Sequence, residues 1–229
     1  MNPSLRLARR TMSTLSVKPY SGGSAKVRNV APMQQGKWLE LRKIDWTDED
    51  GKDRVWEMAA RKTTSQGGID AVAIVALLRH PTRETSIPLI LQYRPPIEAI
   101  CVELPAGLID EGEDPETSAR RELHEETGYG GDQFKGRVNL VELGGTVVSD
   151  PGMSKANMVL ATLEVQLEEG EEEPKPKLDD GEHIEVRVTP LGELYRHLEA
   201  YERLGYVVDA RLHHYAAGIE VAKRVGAKF

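Results

Sequence analysis

The sequence predicts an α/β or α+β layered domain. Three observations carry this: several strand-like runs rich in β-branched residues, one well-capped helix among them, and two helical patterns after the last strand. The helix is the clearest element. Asp114 followed by Pro115 is a start signal, a carboxylate to cap free N–H groups and then a proline at the first helical position. Gly128 is the stop. About three turns fit between them. Glu122 and Glu126 stand four apart and share one face, with Glu125 beside them, while Ala119 and Leu123 pack the other side toward a core.

Taken in order, residues 1–30 read as a flexible basic tail or a transit peptide, because they hold arginines and serines and no acid. Leu5 to Arg10 fits a short basic amphipathic helix, and Met12 offers a second start that removes most of the arginines. Residues 31–66 form a small β unit. Trp38, Leu39 and Leu41 begin a strand, Asp48–Gly51 is a turn, and Arg54 to Ala59 returns. All three tryptophans, Trp38, Trp46 and Trp56, lie here. A hairpin cannot bury three indoles by itself. They pack on the main domain, on a second subunit, or on a ligand, where an aromatic face stacks a nucleobase.

Residues 67–229 form the main domain. Ile69–Leu78, Ile87–Tyr93 and Ile100–Leu104 read as buried strands, the second ending at Arg94 and two prolines. After the helix come strands over Asn139–Val148 and Ala156–Val165, joined by the turn Ser149-Asp150-Pro151-Gly152. Glu168–Asp180 is an acidic, proline-containing exposed loop. Glu182–Val188 is a last strand, and Pro190–Ala200 and Ala210–Ala227 carry helical patterns.

Charge excludes one class of partner. The net charge of −7 divides into +7 over residues 1–39 and −14 over the remainder. So acidic a body does not fit a nucleic-acid backbone. Small phosphorylated ligands stay open, since bound cations invert the local field. No apolar run is long enough to span a bilayer, so no membrane partner is expected. The single cysteine, Cys101, lies in an apolar run and reads as a buried small hydrophobe. The adjacent His213 and His214 point in different directions on a helix and make no chelating pair.

The chemistry lies in the helix and the residues before it. Glu113, Glu116, Glu122, Glu125 and Glu126 crowd about Arg120 and Arg121. Like charges at helical spacing cost a few tenths of a kcal/mol per pair. Nearby arginines offset this on a solvated face, or a hard divalent cation does so with oxygen ligands. The spacing decides between them. It resembles the Nudix box, G-x5-E-x7-R-E-U-x-E-E-x-G-U with U bulky and apolar. Gly107, Glu113, Arg121, Glu122, Leu123, Glu125, Glu126 and Gly128 fall on pattern, and Tyr129 replaces the last aliphatic residue.

The resemblance extends over most of residues 37–220. The run from Gln92 to Glu113 is similar to the eukaryotic ADP-ribose (ADP-sugar) pyrophosphatases, as are Trp56-Glu57 ahead of Arg61, the Ser149–Gly152 turn and the stretch from Asp180 to Val186. The resemblance implies a mixed β-sheet sandwiched between helices. It also implies a small N-terminal antiparallel β domain that is swapped between the subunits of a homodimer. It implies metal contacts from the Ala106 carbonyl, Glu122 and Glu126, with Mg²⁺ as the cation and Mn²⁺ as a substitute. Glu182 orients or deprotonates water on the family match alone; the sequence itself does not separate it from Asp179, Asp180 or Glu185. Glu125 and Arg121 are expected in the catalytic group, and the pattern leaves open whether Glu113 and Glu125 are further metal ligands or orienting partners of Arg121. By the same resemblance Trp38 and Trp56 would hold adenine across the dimer, Glu57 and Arg61 would touch base or ribose, Arg94 would bind phosphate, and Asp150 and Gly152 would complete the substrate site.

The expected activity is Mg²⁺-dependent hydrolysis of ADP-ribose to AMP and ribose 5-phosphate. The rival readings are a pyrophosphatase for another nucleoside diphosphate sugar or an oxidised nucleotide, and a non-catalytic ADP-ribose-sensing module. The expected location is the cytoplasm, mitochondria or both, with the nucleus also open.

Overall fold

The computed structural model describes residue 17 and residues 23–62 and 67–227. Leu5–Arg10 and Met12 lie outside the described residues. Among the described residues two sheets carry the fold. The first is a three-stranded antiparallel unit of β1 (Lys26–Gln35), β2 (Leu39–Thr47) and β3 (Asp53–Arg61) in that order. The β2–β3 hairpin turns at Asp48, whose side chain accepts from the Asp50 and Lys52 N–H groups. β1 corrects the reading of residues 26–30 as tail: Lys26 pairs with Thr47 and Val30 with Ile44. The segment holds no acid of its own because its counter-charges lie on the partner strands. Arg28 meets Asp53 on β3 at 3.1 Å.

The second sheet is mixed. Its strands are β4 (Ala71–Arg79), β5 (Ser86–Arg94), β6 (Ala99–Glu103), β7 (Ala106–Leu108), β8 (Val138–Leu143), β9 (Val147–Val148), β10 (Asn157–Gln166), β11 (Ile184–Pro190) and β12 (Val207–Val208). β4 runs parallel to β10 and antiparallel to β7, while β5 pairs antiparallel with both β6 and β11. Three α-helices cover it: α1 (Pro115–Thr127), α2 (Leu194–Arg203) and α3 (Ala210–Arg224).

Side-chain alternation along β4 sends residues to two cores. Val72, Ile74, Ala76 and Leu78 join Ala119 and Leu123 of α1, with Tyr129 and Phe134. Val75 joins Leu194 and Leu198 of α2 and Leu212 and Ala216 of α3 on the other face. The result is the expected sandwich of a mixed sheet between helices, with a small antiparallel sheet at the N-terminal end. Tyr129, the off-pattern residue, is buried and its ring centroid lies 5.5 Å from that of Phe134. Cys101 is buried, and desolvation raises its thiol to about 11, as suits a structural residue. No helix among the described residues is long and apolar enough to cross a membrane.

Candidate active site

α1 begins and ends as its sequence dictates. Asp114 accepts from the Glu116 and Thr117 N–H groups at 2.9 and 3.0 Å, and Pro115 occupies the first turn. Gly128 closes the helix at φ +78°, donating its N–H to the His124 carbonyl. A second constraint acts on Gly128: a Cβ there would lie 2.5 Å from the Lys175 carbonyl oxygen. The acidic segment after β10 therefore runs against the end of α1, where the Lys177 N–H also donates to the Glu125 carbonyl at 2.7 Å. Arg137 holds Glu171 further along the same segment, through both carboxylate oxygens. The expected exposed loop, Glu168–Asp180, is fastened at several points and leads to Glu182.

Arg121 organises the acids. Its Nε donates to Glu113 at 3.1 Å, Nη1 reaches Glu122 at 2.7 Å and Glu125 at 3.0 Å, and Nη2 donates to the Leu108 carbonyl at 3.0 Å. Its hydrogen bond to Glu113 leads the effects that raise its own pKa. The same bond, with one from the Ser118 hydroxyl at 2.6 Å, holds the Glu113 carboxyl below the usual range. Ser118 is fully buried, and nothing in the sequence marked it.

Glu122 and Glu126 lie on the other side of this cluster, against the β6–β7 turn. The Ala106 N–H donates to Glu126 at 2.9 Å. Gly107 leaves the space for Glu122: a Cβ there would stand 1.9 Å from its Cδ. Glu126 is 5% exposed. Burial, followed by the charges of Glu122 and Glu182 and opposed by the Ala106 N–H, pushes it up to about 8. Burial likewise raises Glu122, against the Arg121 hydrogen bond, with the charges of Glu125 and Glu182 adding to the rise. Glu182 thus belongs to the same field. Its N–H donates to the Asp179 carbonyl, its carboxylate accepts from the Asp179 N–H, and it borders an open groove of about 490 Å³ with Leu91, Ile100 and Tyr206.

These residues fit a divalent cation. Two desolvated carboxylates held close together need positive charge, and all the donors here are hard oxygens. Among the described residues no three Asp, Glu, His or Cys side chains gather as ligands.

Arg94 lies at the end of β5. Its Nε donates to Glu103 at 2.7 Å, and Glu103 is buried, with Arg211 at 3.9 Å on its other oxygen. Glu103 was missed, although an acid inside the apolar run of β6 was a signal. The pairing fixes the guanidinium and leaves its two terminal nitrogens without a partner among the described residues.

The remaining predicted residues are not gathered at the acids. Trp38 precedes β2 and is 62% exposed, and Trp56 lies mid-way along β3 and is 48% exposed. Leu39 faces Arg61 and Ile44 faces Trp56 in the hairpin register. The two indoles therefore stand about six residues apart along the ribbon, roughly 20 Å, too far to sandwich one base within one chain. The Trp56 indole N–H donates to the Gly152 carbonyl at 3.0 Å, and Asp150 accepts in its own turn from the Met153 and Ser154 N–H groups. Glu57 pairs in register with Lys43. Arg61 lines a cavity with Asp70 and Arg211.

A buried glutamate and a half-buried one at helical spacing, an arginine bound to the acids around them, and a glycine with no room for a side chain are the three-dimensional content of the Nudix pattern. A family model described as NUDIX domain matches residues 69–210. The chain belongs to that family. The NUDIX domain here has close relatives over nearly its whole length. A Saccharomyces cerevisiae protein named ADP-ribose pyrophosphatase is 39% identical over 221 residues, 96% of this chain and 93% of the relative. A Mus musculus protein named ADP-sugar pyrophosphatase is 33% identical over 213 residues, 92% and 94% of the two chains. A crystal structure of an ADP compounds hydrolase superposes with a TM-score of 0.56 at 20% identity, covering 92% of this chain and 100% of that one, which shows the fold. The chain is a Nudix hydrolase, and members of the family generally use a divalent metal.

Proposed function

We propose that the chain hydrolyses the diphosphate of ADP-ribose to AMP and ribose 5-phosphate, with Mg²⁺ as its metal and Mn²⁺ as a substitute. The observation that carries the reading is the Glu122–Glu126 pair, desolvated against Ala106 and Gly107 with the charge of Glu182 acting on both. The names of the relatives at 39% and 33% identity support the substrate.

Glu122, Glu126 and the Ala106 carbonyl would hold the cation, which when bound neutralises diphosphate charge and acidifies water. Arg121 keeps Glu122 and Glu125 in place through Nη1. Arg94, braced by Glu103, offers its terminal nitrogens to diphosphate oxygens. Glu182 accepts a proton from the attacking water or orients it. Trp38 of one subunit and Trp56 of the other stack adenine in a homodimer with exchanged N-terminal sheets. The separation of the two indoles along one hairpin supports this arrangement. Glu57 and Arg61 contact base or ribose, and Asp150 and Gly152 line the substrate beside Trp56.

The test is product analysis with purified protein and ADP-ribose, with and without EDTA. Equal AMP and ribose 5-phosphate, abolished by EDTA and restored by Mg²⁺, supports the reading. Tight ADP-ribose binding without turnover would assign a sensing module instead.

A further inference from the structure

We infer that Lys177 is a positioning residue for Glu182: its main-chain N–H ties the segment between β10 and β11 to the end of α1 and so sets where Glu182 stands relative to Glu122 and Glu126. This rests on the reading above of Glu182 as the group that handles the attacking water. A helix leaves its last four carbonyls without an intrahelical partner. At the end of α1 the His124 carbonyl accepts from the capping Gly128 N–H at 2.8 Å. The Glu125 carbonyl accepts instead from the Lys177 N–H at 2.7 Å, a donor from far along the chain. Gly128 makes room for the same segment, since a Cβ there would stand 2.5 Å from the Lys175 carbonyl oxygen and 2.8 Å from the Pro174 Cβ.

The segment is suited to transmit that contact. Pro174 and Pro176 fix φ and carry no N–H, which stiffens the run and leaves Lys175 and Lys177 as its donors up to that point. Exposure alternates as in an extended chain: Pro174, Pro176 and Leu178 are half-buried, and Lys175 and Lys177 are exposed. Lys177 therefore offers its backbone to α1, while its side chain faces solvent. Glu125 serves twice, with its carboxylate on Arg121 at 3.0 Å and its carbonyl on this segment.

Glu182 lies five positions beyond Lys177. A closed turn joins them. The Glu182 N–H donates to the Asp179 carbonyl at 3.1 Å, its carboxylate accepts from the Asp179 N–H at 3.2 Å, and Gly181 takes φ +87°, where glycine is favoured. After the turn, Ile184 pairs with Gln92 on β5. Carried back two residues, that antiparallel register brings Glu182 level with Arg94, the arginine proposed for the diphosphate. Glu182 thus hangs between two anchors. β5 sets it against Arg94, and the Lys177 bond sets it against the acids of α1. Its charge acts on both Glu122 and Glu126, as this placement requires.

The experiment compares Lys177→Pro, which deletes the N–H, with Lys177→Ala, which removes the same side chain and keeps the N–H. Steady-state kinetics on ADP-ribose at saturating Mg²⁺ are measured for both in the full-length protein, once with Glu182 and once in Glu182→Gln. With Glu182 present, the proline variant should have a kcat about tenfold or more below the alanine variant, with KM little changed, because misplacement by about 1 Å at a reacting centre costs up to about 10²-fold. In Glu182→Gln the two should have equal kcat, since the bond then has no catalytic group to position. Equal kcat with Glu182 present overturns the inference, because β11 then holds Glu182 unaided. The same loss in both backgrounds also overturns it, by assigning the bond to the end of α1 alone. Wild-type turnover by Glu182→Gln removes Glu182 from the reaction, and the parent reading of that residue falls together with the inference. If Lys177→Pro does not fold, an ester in place of the Pro176–Lys177 amide deletes the same N–H without a ring and is held to the same outcomes.

Discussion

Gly107 and Glu122 occupy one volume. A side chain on Gly107 would begin 1.9 Å from the Glu122 Cδ, so the helix carboxylate reaches β7 only because that strand has no Cβ there. The first glycine of the motif and its central glutamate are thus one steric unit, though they lie fifteen positions apart.

Gly107→Ala should consequently displace Glu122 while leaving both cores intact. A displacement of about 1 Å at a reacting centre costs on the order of 10²-fold in rate. The expected result is a kcat loss of that size with a melting temperature within a few degrees of wild type. Full activity would mean that Glu122 does not act from the position it occupies.

Glu126 links activity to pH and stability. Burial keeps its carboxyl protonated in the folded chain up to about 8, whereas the unfolded chain releases that proton near the ordinary carboxyl value of 4.5. Its raised pKa therefore favours folding below 4.5, and this contribution is lost as pH rises toward 8. Without metal, Glu126→Gln should match the wild type in melting temperature at the acid end and exceed it above pH 8. Mg²⁺ should raise the wild-type melting temperature at the higher pH and leave the variant almost unmoved. The variant should also lose orders of magnitude in kcat. Equal responses of the two proteins to Mg²⁺ would remove Glu126 from the metal set.

Arg94 depends on Glu103. Glu103→Gln removes the charge that fixes the guanidinium, and the expected effect is a KM several-fold higher with a smaller change in kcat. Arg94→Lys should not restore wild-type KM, because an ammonium lacks the planar fork. Steady-state kinetics on ADP-ribose checks both.

The tryptophans test the dimer. Trp56→Ala should raise KM more than it lowers kcat, since stacking stabilises ground and transition states alike. Trp38→Ala and Trp56→Ala subunits, each impaired alone, should regain activity when co-expressed. In an exchanged dimer one of the two sites then has both indoles. No recovery on mixing would contradict the exchanged dimer.

Much of this was legible because it is local. The α1 caps are read from Asp114, Pro115 and Gly128, and the helix spans Pro115–Thr127 as those residues require. The Arg121 cluster follows from spacing of one and four along one helix. What escaped the sequence depends on distant partners. β1 looked like tail because Asp53, which pairs with Arg28, and Asp45, which accepts from the Asn29 side chain, lie on other strands. Glu103 takes its partners from Arg94, nine residues before it, and from Arg211 in α3. The acidic segment read correctly as an exposed loop, but its fastening points, Arg137 and the Glu125 carbonyl, lie before it in the chain and left no local sign.

The central claim is that Glu122 and Glu126 hold the metal that drives diphosphate cleavage. The most direct measurement is turnover of ADP-ribose by wild type and Glu126→Gln across a Mg²⁺ titration, with AMP and ribose 5-phosphate counted. The account predicts stoichiometric products from the wild type, saturating with Mg²⁺, and a variant that is folded but slower by orders of magnitude at every concentration. Near-wild-type turnover by Glu126→Gln, or wild-type cleavage that persists in EDTA, would contradict it.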